Sequence, residues 1–155
     1  MKILFLCLGN ICRSPMAEAV FRQMVKGKGL ADVIEVDSAG LGGWHAGERP
    51  HKGTREILTK YGIAHDDIRS RQIRHTDIAD FDYIVAMDED NMQGLKALGA
   101  KPGPKVFRLL DLVEERQDKN VPDPYYIGNF EEVYDLVQTG CSCLLDKIRQ
   151  ERGDM

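Results

Sequence analysis

The chain opens on Lys2-Ile3-Leu4-Phe5-Leu6, an apolar run whose length suits a strand buried on both faces better than a helix. From Met16 to Val25 the spacing changes: Ala17, Val20, Phe21, Met24 and Val25 recur every three or four residues, which predicts an amphipathic helix. Ser14 and Pro15 suit its N-cap and first helical position, and Gly27 and Gly29 mark its end. Val33–Asp37 reads as a second strand, followed by a glycine-rich loop over Ser38–Gly47 expected to lie outside the core. Thr54–Gly62 reads as a helix, Phe81–Met87 as a third strand, and Asp88–Leu98 as a helix with negative charge at its N-terminus. After the turn Lys101-Pro102-Gly103-Pro104 come a short fourth strand at Lys105–Phe107, a helical turn over Leu109–Val113 and a charged loop over Glu114–Asn120. Two prolines hold Val121–Tyr126 extended, which displays Asp123. The last helix carries the clearest stripe: Phe130, Val133, Tyr134, Val137, Cys141, Leu144, Leu145 and Ile148.

Strands alternating with helices predict an α/β fold, in three layers: a four-stranded parallel sheet with helices on both faces. The 155 residues suit a single domain, residues 1–155, with a sizeable core. A net charge of −4 and the lack of any lysine/arginine block argue against a nucleic-acid partner. No apolar run approaches a membrane span, and Arg13 interrupts the apolar start too early for a signal peptide, so no membrane partner is expected.

The chemistry concentrates in Cys7-Leu8-Gly9-Asn10-Ile11-Cys12-Arg13-Ser14-Pro15, between the first strand and the first helix. A tight loop there aims backbone N–H groups and a helix N-terminus at one point, a ready anion site. Five residues separate Cys7 from Arg13, so both can face one tetrahedral oxyanion, with Arg13 forking two donors onto its oxygens. The amides, the helix dipole and Arg13 all favour a thiolate at Cys7, and a Ser14 hydroxyl within reach adds a hydrogen bond. A thiolate beside bound phosphate is a nucleophile for phosphoryl transfer through a cysteinyl-phosphate. Four cysteines in a chain with such a nucleophile point to a reducing compartment, hence the cytoplasm. Cys141 and Cys143 have no histidine or further cysteine partner at metal-ligand spacing, and no metal or cofactor is expected. Cys12 shares the loop: either it traps an oxidised Cys7 as a disulfide, which makes the enzyme redox-sensitive, or it simply packs beneath the loop.

The nine-residue stretch, with Asp37-Ser38-Ala39, Phe81–Asp88 and Asp123-Pro124-Tyr125-Tyr126, resembles the low-molecular-weight protein tyrosine phosphatases over almost the whole chain. The resemblance implies hydrolysis of phosphotyrosine in protein, with phosphate and other oxyanions as product or inhibitor. It makes Cys7 the nucleophile and Asp123 the general acid, with Arg13 and the loop from Leu8 to Ser14 (Gly9, Asn10, Ile11 and Cys12 included) holding the phosphate. Ser38 and Ser14 would steady the loop through Asn10, and Ile11, Trp44, His45, Tyr125 and Tyr126 would wall the substrate cleft. Asp88 is either a helix cap or a residue that orients Asp123 or Tyr126. Ile68 departs from the pattern, standing where many members carry a histidine that bonds the loop asparagine, so that support would pass to Ser38 or to nearby His65.

Three rivals share parts of this reading. An arsenate reductase of the same fold needs two further redox cysteines mid-chain, and none lies between Cys12 and Cys141. A protein-arginine phosphatase would carry threonine at the position of Ile11 and lack the paired tyrosines. A phosphopeptide-binding module without turnover would have lost Cys7 or Asp123.

Overall fold

A computed structural model describes residues 1–153. Four strands form one parallel sheet: β1 (Lys2–Cys7), β2 (Glu35–Gly40), β3 (Tyr83–Ala86) and β4 (Val106–Arg108), in the order β2-β1-β3-β4. The first apolar run is therefore a central strand, and Ile3, Leu4, Phe5 and Leu6 are all fully buried. Their alternation divides the core in two. Ile3, Phe5 and Cys7 face a cluster supplied by α1 (Arg13–Gly27), α2 (Lys52–Lys60) and α6 (Phe130–Arg152). Leu4 and Leu6 face a smaller cluster with Met92 and Leu95 of α4 (Glu89–Ala97), against which Ile78 of α3 (His75–Asp80) packs. Helices thus cover both faces of a four-stranded parallel sheet, as the alternation of strand and helix predicts.

The differences from expectation cluster near β2. Its strand begins at Glu35 and continues through Ser38, Ala39 and Gly40, all three buried, where a glycine-rich loop is expected to start. Tertiary pairing decides this, because Phe5, Leu6 and Cys7 of β1 pair with Ser38, Ala39 and Gly40. Gly40 is needed there: a Cβ would lie 3.0 Å from the backbone of Leu8, Gly9 and Asn10. The third strand is shorter than the apolar run, since Phe81 and Asp82 precede it. Residues 124–127 form a helical turn, α5 (Pro124–Ile127), and not an extended segment, because Asp123 caps it and Pro124 takes the first helical position. No helix among the described residues is long and apolar enough to cross a membrane.

The sheet and its larger core set a contrast for mutation. Phe21 of α1 is fully buried and meets Phe5 edge to face at 5.6 Å. Phe21→Ala should cost ~3–5 kcal/mol in urea unfolding, whereas Val33→Ala, at a 48% exposed site, should stay within ~0.5 kcal/mol.

Candidate active site

The loop over residues 8–12 leaves the C-terminal end of β1 at Cys7, beside the ends of β2 and β3, where open parallel sheets take their ligands. Helix α1 starts at Arg13 with Cys12 as N-cap and no side-chain cap, so Ser14 does not play the capping role its type suggests. Its hydroxyl is occupied elsewhere. Asn10 Nδ2 donates to Ser14 Oγ (2.7 Å), leaving the Ser14 proton free to point at Cys7 Sγ, 3.0 Å away. A donor aimed at the sulfur favours the thiolate.

Asn10 is the joint of this loop. It is the non-glycine residue with positive φ (57°) among the described residues, in the left-handed region that asparagine tolerates better than most. Its Nδ2 donates also to Ser38 Oγ (3.0 Å), and its Oδ1 accepts from the backbone N–H of Arg71 (2.9 Å). The expected support from Ser38 is present. His65 gives none, because its Nδ1 lies against the carbonyl of Ile63 at 2.9 Å. Ile68, in the place of a histidine, is buried in the larger core cluster.

Beyond Ser38 the chain of hydrogen bonds ends on a residue that the apolar stripe of α1 hides. Ser38 Oγ donates to Glu18 Oε1 at 2.6 Å, and Glu18 is 7% exposed. Burial pushes its carboxyl up to about 7, against the Ser38 hydrogen bond and with Asp37 adding to the rise. An acid one turn after Ser14, between Ala17 and Ala19, is the only sequence signal that could have pointed to it.

Arg13 is 2% exposed and its Nη1 is held by Asp88 Oδ2 (2.5 Å) and the carbonyl of Val121 (2.9 Å). Among the described residues no hydrogen bond reaches Nε or Nη2, and Nη2 has only a looser ion pair with Asp123 Oδ2 at 3.7 Å. Burial opposes the guanidinium charge, but Cys7, Asp88 and Asp123 together outweigh it and raise its pKa. Asp88 therefore serves twice: it caps α4 by accepting from the N–H of Asn91 (2.8 Å), and it orients Arg13 rather than Asp123 or Tyr126.

Cys7, Leu8, Gly9, Ile11, Cys12, Arg13, Trp44, His45, Asp123, Tyr125 and Tyr126 line one open cleft of about 290 Å³. Asn10, Ser14 and Ser38 are buried behind it. Asp123 caps α5, its Oδ1 accepting from the N–H of Tyr125 (3.0 Å). Trp44 is 70% exposed; the indole lies over Gly42, where a Cβ would come within 2.0 Å of the ring. Cys12 is buried, and burial followed by the charges of Cys7 and Asp123 pushes its thiol up to about 12 while Cys7 is reduced. Among the described residues no group of three or more His, Cys, Asp or Glu is arranged to hold a metal ion.

This chain matches, over residues 2–153, the family described as low molecular weight phosphotyrosine protein phosphatase. It is 53% identical to the Bacillus subtilis low molecular weight protein-tyrosine-phosphatase YfkJ across 97% of each chain, and the crystal structure of YfkJ superposes with a TM-score of 0.94. It is 47% identical to the PtpA phosphatase of Staphylococcus aureus, covering 94% of this chain and 92% of that one. A solved structure of a Drosophila arginine phosphatase is also similar, with 35% identity, a TM-score of 0.87 and coverage of 96% and 98%.

Glu18 gives the site a pH dependence of known sign. Its folded-state pKa stands above the ordinary value of 4.5, so its contribution to stability is full below about pH 4.5 and is lost as pH rises through about 7. Glu18→Gln keeps an acceptor for Ser38 and cannot ionise. Between pH 5 and pH 8 the wild type should therefore lose up to ~3 kcal/mol relative to Glu18→Gln in urea unfolding. Parallel pH profiles for the two proteins would place the buried charge elsewhere.

Proposed function

We propose how the reaction runs in this chain, which belongs to the low molecular weight phosphotyrosine protein phosphatase family and is a protein-tyrosine phosphatase. Cys7 Sγ attacks the phosphorus of a phosphotyrosine, and the phosphorus–oxygen bond to the ring breaks. Asp123 gives its proton to the departing phenolate oxygen. In the second half Asp123 takes a proton from water as that water attacks the cysteinyl-phosphate, releasing phosphate and restoring the thiolate. Arg13, through Nε and Nη2, and the amides from Leu8 to Ser14 hold the non-bridging oxygens, the same donors serving both transition states. Free phosphate and other oxyanions would occupy this cradle as product or inhibitor, and a free nucleophilic thiol suits the cytoplasm.

The observation that carries this assignment is the convergence of Cys7, Arg13 and Asp123 on one cleft, with Arg13 Nη1 already occupied and its other edge left for ligand. Ile11, Trp44 and Tyr125 supply apolar walls suited to a flat ring. Fold alone does not separate phosphotyrosine from phosphoarginine, since an arginine phosphatase shares it. Ile11 supports the aromatic substrate: it fills the cleft wall with a branched alkyl group and offers no hydrogen bond to a guanidinium.

Asp123→Ala should slow hydrolysis of phenolic phosphates with poor leaving groups by ~10²–10⁴-fold and that of activated nitrophenyl phosphates far less. Equal losses on both would remove Asp123 from the acid role. On matched peptides the kcat/KM ranking should run phosphotyrosine above phosphoarginine and phosphoserine, with Ile11→Thr raising relative activity on phosphoarginine. A wild type that prefers phosphoarginine would reverse the specificity while leaving the nucleophile in place.

A further inference from the structure

A second groove, of about 600 Å³, adjoins the phosphate cleft and shares Ile11, His45 and Tyr125 with it as a common wall. Its remaining lining comes from Gly47 to Lys52 and Arg55. Arg49, Lys52 and Arg55 bring three permanent positive charges against one carboxylate, Glu48, in a chain whose net charge is −4. That carboxylate is engaged: Glu48 Oε2 lies 2.7 Å from His45 Nδ1. The cations are largely not. Arg49 is exposed and makes no side-chain hydrogen bond or ion pair among the described residues. Arg55 Nε donates to the carbonyl of Pro50 (2.9 Å), which fixes the side chain while leaving both terminal nitrogens without a partner among the described residues. Lys52 has only a loose, exposed pair with Glu56 at 3.7 Å.

The groove is fastened to the catalytic loop. The N–H of His51 donates to the carbonyl of Ile11 (2.7 Å), and Thr54 Oγ1 donates to the carbonyl of Cys12 (3.0 Å). The His51 ring lies between Phe130, stacked at 5.2 Å, and Tyr125, edge-on at 5.6 Å. The segment that carries Lys52 and Arg55 is therefore tied to the loop that carries Cys7. Among the residues lining the phosphate cleft itself only Arg13 carries a permanent positive charge, and it is buried, so the exposed cations next to the site are those of the adjoining groove.

We propose that this groove is a substrate subsite that takes an acidic side chain flanking the phosphotyrosine, and that it gives the phosphatase a preference for acidic sequence contexts. The proposal rests on the tyrosine-phosphatase reading of the adjoining cleft. An extended peptide advances ~3.3–3.6 Å per residue, so a carboxylate one or two positions from the phosphotyrosine is the group that crosses the shared wall. Partly exposed ion pairs of this kind are individually weak and screened by salt, and their main effect is on encounter and register.

The test compares two peptides, Glu-Glu-pTyr-Glu-Glu and Gln-Gln-pTyr-Gln-Gln, with a nitrophenyl phosphate as control. Wild type should favour the acidic peptide in kcat/KM by roughly three- to tenfold at low salt, and the ratio should shrink toward one as salt rises. Arg49→Glu/Lys52→Glu should bring the ratio to one or below, and Arg49→Gln/Lys52→Gln should give an intermediate value, with the nitrophenyl phosphate rate unchanged in both. That control rate shows that the variants are folded. A wild-type ratio of one, or a preference that survives the charge reversal, would overturn the subsite. Hydrolysis of the nitrophenyl phosphate with neither phosphotyrosine peptide accepted would instead overturn the substrate reading, and the subsite with it.

Discussion

Asn10 keeps a backbone shape that the loop would not hold unaided. A left-handed conformation costs an ordinary residue ~1–2 kcal/mol, somewhat less for asparagine. Three hydrogen bonds, the buried ones to Ser14 and Ser38 and a partly buried one from the N–H of Arg71, each contribute ~0.5–1.5 kcal/mol net and together outweigh it. Leaving any of these groups unpaired in the interior would cost more than forming the bond gains, so the loop has little freedom to adopt another shape. The donors therefore stand in place before substrate arrives. This is how a site without reorganisation at the moment of reaction is built.

The same economy governs Arg13. A guanidinium at 2% exposure is tolerable only with partners, and Asp88 and the Val121 carbonyl supply them on one edge alone. Had both edges been paired, no donor would be left for phosphate; had neither been, burial would drive the side chain out. Asp88 follows β3 and Val121 belongs to the segment that carries Asp123, so a single side chain, Arg13, ties the Cys7 loop to that segment. The N–H of Val121 in turn donates to the carbonyl of Met87 (2.8 Å), which anchors that segment to the sheet.

Glu18 and the basic groove answer to different physics. Glu18 is a buried carboxyl whose ionisation is opposed by desolvation, at the end of a hydrogen-bond chain that begins at the Cys7 sulfur. Arg49 and Lys52 are solvated, so their effect on a substrate is modest, additive and dependent on ionic strength.

Much of this was legible in the chain itself. The run Ile3–Leu6 suited a buried strand better than a helix, the stripe from Phe130 to Ile148 marked a helix that covers a core, and a cysteine and an arginine with five residues between them before a helix pointed to an anion site. These are local patterns, in which period and spacing decide which side chains share a face. Partner choice is not local. Ser14 looks like a helix cap, but Cys7 and Asn10 occupy its hydroxyl; Ser38–Gly40 looks like loop, but β1 pairs with it. Glu18 supports the loop from inside an apolar stripe, and Asp88 turned out to orient Arg13. Each outcome depends on which polar groups meet once residues far apart in sequence are packed together, and a buried donor or acceptor takes whichever partner the fold brings within reach. The sequence by itself determined the strand, the helix and the chemistry between them; the tertiary structure decided which atoms hold that chemistry in place.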